Sequence, residues 1–171
     1  MTATRMTGAM KRSLELRLEE LEVRIASLDA QREGDHSLET TALMIQLTRE
    51  RAEIADALRD ARLIDDEPFD FEAIEVGDLV TIRADDGIVD SYVLVADGVG
   101  ARARSDWVSV TSPLGRAILG RSKGERVEVQ SPQGPVGYVV VDFERASERS
   151  FVPDRDHAGG NPWLPAEAFI G

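Results

Sequence analysis

Two apolar stripes on either side of a short acidic turn constrain this chain more than any other feature. Leu14, Leu18, Leu21, Ile25 and Leu28 recur at intervals of four, three, four and three residues. The pattern breaks at Gly34-Asp35-His36-Ser37. A second stripe follows in Met44, Leu47, Ile54, Leu58 and Ala61, with Arg51 in one seam position. Two such stripes joined by so few residues predict an antiparallel helical hairpin. Arms of about 27 residues, rising about 1.5 Å per residue, carry the turn roughly 40 Å from the base.

Local signals place the helix ends. The first helix is expected from Met10 to Glu33, with Glu15, Arg17, Glu19, Glu20, Glu22 and Arg24 on its solvated faces. Gly34 suits the stop, and Asp35 or Ser37 can cap a second helix from Leu38 to Arg62. Arg51 can lay its stem along the seam and keep its head in water. Residues 1–10 read as a frayed lead-in. Leu63 to Phe71 reads as a linker, because Asp65, Asp66 and Glu67 are acidic and Pro68 excludes helix continuation.

The hydrophobic period then changes from helical to alternating. Leu79 to Arg83 and Asp90 to Val95 read as strands around an Asp85-Asp86-Gly87 turn. Trp107 to Val110 suggests a further strand. Ser112-Pro113 opens a short helix ending at Gly120, with Ser112 as cap and Pro113 in the first helical position. Arg126 to Gln130 and Val136 to Phe143 form a closing hairpin through Ser131-Pro132-Gln133-Gly134. The fold class is α+β: an N-terminal antiparallel coiled-coil hairpin and a small C-terminal β-sheet domain with one short helix. The expected organisation is a hairpin over 1–64 with its tip at 33–39, an acidic linker over 65–75, a sheet domain over 76–144 and a Pro/Gly-rich tail over 145–171. The tail composition predicts disorder or loose docking through Trp163, Leu164, Phe169 and Ile170.

Charge and composition narrow the function classes. The net charge of −12 argues against binding a nucleic-acid backbone directly and permits a basic protein partner. The absence of cysteine excludes disulfides and thiolate metal sites. No apolar run approaches the roughly 20 residues of a membrane span, and Met1 to Met10 lacks the core of a secretion signal. A cytoplasmic monomer is expected. An adaptor that dimerises through its coiled coil is the alternative the heptads alone would support. A prolyl isomerase would need an aromatic-rich pocket, and Trp107, Tyr92, Tyr138 and Phe143 are too few and scattered for one.

The hairpin, its acidic tip and the stretch Ser112-Pro113-Leu114-Gly115-Arg116-Ala117-Ile118-Leu119-Gly120 together resemble the bacterial Gre transcription elongation factor family. The resemblance covers about residues 10–144 and is strongest from Ser112 to Gly134. There Gly115, Ile118, Gly120, Gly124, Glu125, Val127, Val129, Pro132 and Gly134 fall where the family pattern expects them or a near equivalent. It implies a sheet domain similar to that of FK506-binding proteins, without their isomerase site. It also implies RNA polymerase as the partner, approached at the rim of its secondary channel, with Ser112, Pro113 and Leu114 as the docking motif. The family usually carries an aspartate before that serine, where this chain has Thr111.

The resemblance further implies that the hairpin tip reaches the polymerase active site. Cleavage-active members carry approximately Gly-Asp-x-Ser-Glu-Asn-x-Glu-Tyr there, and their carboxylates help hold a second catalytic Mg²⁺. This chain reads Gly34-Asp35-His36-Ser37-Leu38-Glu39-Thr40-Thr41-Ala42. Asp35 and Ser37 match, Leu38 replaces a glutamate, and Glu39 offers a carboxylate one position later. Glu33 adds charge beside them. The implied metal is a Mg²⁺ shared with the polymerase through Asp35 and Glu39, with no cofactor of the chain's own. The altered tip points to non-cleaving or inhibitory regulation, and any RNA cleavage would belong to the polymerase rather than to this chain. His36 could ligate a metal, but a solvated turn histidine is the commoner outcome. Asp154, Asp156 and His157 are metal-ligand types that nothing organises. Arg102 and Arg104 make a small basic cluster near Trp107, read as solvated.

Overall fold

The computed structural model describes residues 3–31, 37–97 and 104–147. The elements run β1 (Thr4–Met6), α1 (Gly8–Gln31), α2 (Leu38–Arg59), β2 (Ala61–Leu63), β3 (Asp78–Ala84), β4 (Val89–Val95), β5 (Trp107–Ser109), α3 (Pro113–Ile118), β6 (Arg126–Ser131) and β7 (Gly134–Arg145). The architecture is α+β: a helical hairpin followed by a five-stranded sheet with one short helix.

α1 and α2 pack along the apolar stripe. Leu14, Leu21, Leu47 and Ile54 are buried, and Leu18, Ile25, Leu28, Leu43 and Leu58 close around them. Leu43 packs against this cluster, whereas Met44, expected in the seam, is only partly covered. Arg51 is exposed. The polar contact across the hairpin comes instead from Arg17, read from sequence as merely solvated. Its Nε and Nη2 donate to the two carboxylate oxygens of Glu50 at 2.9 and 3.3 Å.

Residues 3–10, expected to be frayed, are ordered into the fold. β1 pairs in parallel with β2, so the two ends of the hairpin are stitched together at the base. Met6, Thr7 and Met10 are fully buried. α1 begins at Gly8 rather than at Met10, because its first turn is doubly capped. The Thr7 hydroxyl accepts from the Met10 N–H at 3.2 Å, and the Asp65 carboxylate accepts from the Gly8 N–H at 2.8 Å. α2 stops at Arg59, short of the expected Arg62, because the following residues extend into β2.

The sheet has the order β5-β4-β3-β7-β6 and is antiparallel except where β5 joins β4. β3 and β7 shift register between Thr81 and Ile82. Strand alternation divides two cores. Tyr92 and Leu94 of β4 face α3, packing with Leu114 and Ile118 and with Val80, Ile82, Val127, Val129 and Val140. Val93 and Val95 face the other way and join Trp107, Ala146 and the hairpin base at Met6, Met10 and Leu14. The hairpin is therefore seated on the back of the sheet.

Two boundaries differ from the sequence reading. β7 continues to Arg145, and Ala146 is buried with its N–H bonded to the Gly77 carbonyl at 2.9 Å, so the sheet domain does not end at 144. Ile64, at the start of the supposed linker, is fully buried. The apolar tail residues, Asp154, Asp156, His157 and Arg102 lie outside the described residues, whereas Arg104 pairs with Asp106 at 2.8 Å.

Candidate functional site: hairpin tip and the start of α3

At the tip, Ser37 has the extended backbone of an N-cap, with φ −65° and ψ 149°. Its hydroxyl accepts from the Thr40 N–H at 3.2 Å, and its carbonyl accepts from the Thr41 hydroxyl at 3.2 Å. Ser37 thus holds the end of α2 rather than presenting a free hydroxyl. Leu38 follows at 88% exposure, an apolar side chain standing in water at the start of α2. Glu39 is exposed in the first helical turn, where the helix dipole favours a carboxylate. One residue on a helix rotates the side chain by about 100°, so Glu39 does not take the direction of Leu38. Glu33, Asp35 and His36 lie outside the described residues.

Among the described residues no group of three acidic, histidine or cysteine side chains comes together as a metal site. Mg²⁺ takes one or two carboxylates and fills its octahedron with water and other oxygens.

The second place of interest is the turn into α3. The Ser112 hydroxyl accepts from the Gly115 N–H at 3.0 Å and donates to the Ser109 carbonyl at 2.7 Å. Pro113 occupies the first turn, where its missing N–H costs nothing. Gly115 is required by space: a Cβ there would lie 1.9 Å from the Ser109 carbonyl oxygen. Pro113 is exposed and Ser112 half-buried. Leu114, expected to contact the partner, is instead fully buried in the α3 core. Its apolar side chain anchors the helix to the sheet.

Thr111 is not without a carboxylate nearby. Its hydroxyl donates to Asp97 Oδ1 at 3.1 Å and also meets the Ser109 hydroxyl at 2.9 Å. Asp97 lies two residues beyond the end of β4, fourteen residues away in sequence. No local motif marks it, and sequence reasoning missed it.

Arg145 links the sheet to the hairpin base. Its guanidinium donates to the Ile64 carbonyl, lies 3.6 Å from Asp78 and 3.8 Å from Glu75. Arg5 adds an ion pair to Glu67 at 2.6 Å, which Arg62 shares at 3.1 Å. Asp78 is fully buried. Burial pushes its pKa up to about 6, against the opposing pull of the Glu75 N–H and of Arg145.

Residues 70–145, from this linker to the end of β7, match the family described as Transcription elongation factor, GreA/GreB, C-term. The match covers the sheet domain and stops short of the hairpin. Among similar proteins, a transcription elongation factor GreA of Bradyrhizobium diazoefficiens is 34% identical over 93 residues, covering 54% of this chain and 59% of that one. A GreA of Flavobacterium johnsoniae is 33% identical over 95 residues, covering 55% and 60%. The chain's match thus spans about three-fifths of these relatives' length. Solved structures that align with it include the GreA factor homolog Gfh1 of Thermus thermophilus, at 21% identity and TM-score 0.39 over 84% of this chain and 99% of that one. A GreA/GreB factor from Nitrosomonas europaea aligns at 19% identity and TM-score 0.39 over 82% and 98%. Within the sheet domain, α3 and its Ser112 cap stand on the surface opposite the hairpin seat, since β4 directs alternate side chains to the two cores.

Proposed function

We propose that this chain is an RNA polymerase-binding secondary-channel factor that regulates transcription elongation, docking through its Gre domain and projecting its hairpin tip toward the polymerase active site. The observation that carries the reading is the match of residues 70–145 to the GreA/GreB C-terminal family together with a hairpin seated on the back of that sheet. α1 alone has 24 residues, a reach of about 36 Å. The proposed docking residues are Ser112 and Pro113, with Leu114 holding them from the core. The seam that a dimerising adaptor would need is already filled within the chain.

The tip is proposed to act without efficient cleavage. Leu38 places an exposed apolar group where cleavage-active members carry a carboxylate. Asp35 and Glu39 are the groups through which a Mg²⁺ shared with the polymerase would be approached, and the polymerase would have to supply most of its ligands. The chain itself is no enzyme in this reading, because any phosphodiester cleavage occurs in the polymerase.

The test uses backtracked elongation complexes with labelled RNA, with and without the protein. Slowed nucleotide addition without transcript shortening supports a non-cleaving channel regulator. Shortened transcripts that resume growth would mean that Asp35 and Glu39 suffice, and would overturn that part. Absence of binding would overturn the whole. Leu38→Glu is expected to raise cleavage at least about tenfold if the missing carboxylate is limiting, the scale of a single positioned charge in a transition state.

A further inference from the structure

Among the described residues, one large aromatic side chain stands outside both cores. Phe71 is 82% exposed, whereas Phe69 two residues earlier packs against the α3 core. It nevertheless has a ring neighbour. The Phe71 ring meets the Phe69 ring edge-on, with centroids 4.8 Å apart and planes at 89°. Phe69 is in turn held against Phe143 at 5.9 Å and under the Arg145 guanidinium at 5.8 Å. The backbone beside it is hydrogen-bonded. Asp70 accepts from the Glu72 N–H at 2.8 Å, and the Ser122 hydroxyl donates to the Glu72 carbonyl at 2.6 Å. Ile74 exchanges two backbone bonds of 2.9 Å with Gly120 and Arg121, so this strap crosses the chain where α3 ends.

α3 itself exposes Pro113, Arg116 and Leu119 at three-residue intervals. That edge begins at the proposed docking residues and ends at Leu119, one residue before the strap's bond to Gly120. An aromatic ring that already has a ring neighbour and a hydrogen-bonded backbone loses less freedom when covered, which is the property of a binding anchor. Its exposed neighbours Asp70 and Glu72 are both acidic. The complementary surface is an apolar pocket with a basic rim. A second copy of this chain, with the same net charge of −12, is a poor occupant.

We propose that Phe71, with Leu119, extends the docking surface of α3 and seats in a basic-rimmed apolar pocket on the RNA polymerase. The proposal rests on the polymerase-binding reading above and goes beyond it in naming an aromatic anchor outside the Ser112-Pro113 motif.

The test uses the full chain and core RNA polymerase. Phe71→Ala is expected to raise Kd at least about tenfold, as a central aromatic anchor does, while leaving the thermal midpoint near that of the unsubstituted chain. Phe71 replaced by the photoreactive p-benzoylphenylalanine is expected to cross-link to polymerase. A Kd within about twofold of the unsubstituted protein would overturn the proposal. So would cross-links that map only to residues 148–171 of the same chain or to a second copy. If the unsubstituted chain itself does not bind, the polymerase reading fails with it. Normal binding that is indifferent to Phe71 removes the anchor alone.

Discussion

Gly115 shows how a single residue can serve a site without touching a partner. Its hydrogen atom leaves room for the Ser109 carbonyl, and that carbonyl receives the Ser112 hydroxyl. Gly115→Ala forces a Cβ into backbone that has no flexible end to move, and is expected to destabilise the domain by about 3 kcal/mol. Urea denaturation followed by circular dichroism checks this. An unchanged midpoint would mean that the β5–α3 turn yields easily. Gly115 and Ser112 were legible because a cap, a proline and a glycine follow one another within four residues. The burial of Leu114 was not legible for the same reason. A motif read along the chain does not say which of its members face inward, and the 3.6-residue turn puts Leu114 in the core with Ile118.

Elements with a strong local period were readable, and those made by distant contacts were not. The two stripes announce the hairpin, and alternation announces β3, β4, β6 and β7. β1 has no such signal: three residues become a strand only because β2 lies beside them, nearly sixty positions later. The cap on α1 is equally remote, since Asp65 and Gly8 are 57 residues apart. Acidic residues before a proline read as a solvated linker until the fold returns them to a helix end. The tip carboxylates Glu33 and Asp35 were legible as residue types in a turn, but their placement lies outside the described residues. Between the helices, the two-pronged bond from Arg17 to Glu50 sets the register of one arm against the other. A double-mutant cycle with Arg17→Ala and Glu50→Ala is expected to give a coupling of about 1 kcal/mol, because Glu50 is largely covered while Arg17 remains one-third exposed. Strict additivity of the two substitutions would assign the register to the apolar seam alone.

For the molecule as a whole, the joint between hairpin and sheet carries an acid that titrates late. The Asp78 pKa of about 6 stands above its ordinary value of 3.8, so the folded state binds this proton more tightly than the unfolded chain. Its contribution to stability is therefore full below about pH 4 and is lost as the pH rises through 6, a swing on the order of 3 kcal/mol. Asp78→Asn keeps an acceptor for the Glu75 N–H but cannot titrate. The difference in unfolding free energy between the unsubstituted protein and this variant is expected to change between pH 4 and pH 7 and to be flat above that range. Chemical denaturation across those pH values measures it. A pH-independent difference would show that the carboxyl is already charged in the folded state at pH 4.

The parallel pair β1–β2 gains a mechanical meaning from the length of the arm above it. A rotation of only 5° at the base swings the end of an arm about 36 Å long through roughly 3 Å, about the span of one hydrogen bond. The pairing register of three residues on each strand, with Arg5 and Arg62 gripping the same glutamate beside it, is thus the bearing of a lever. Its play, multiplied along the arm, sets how accurately Leu38 and Glu39 can be aimed.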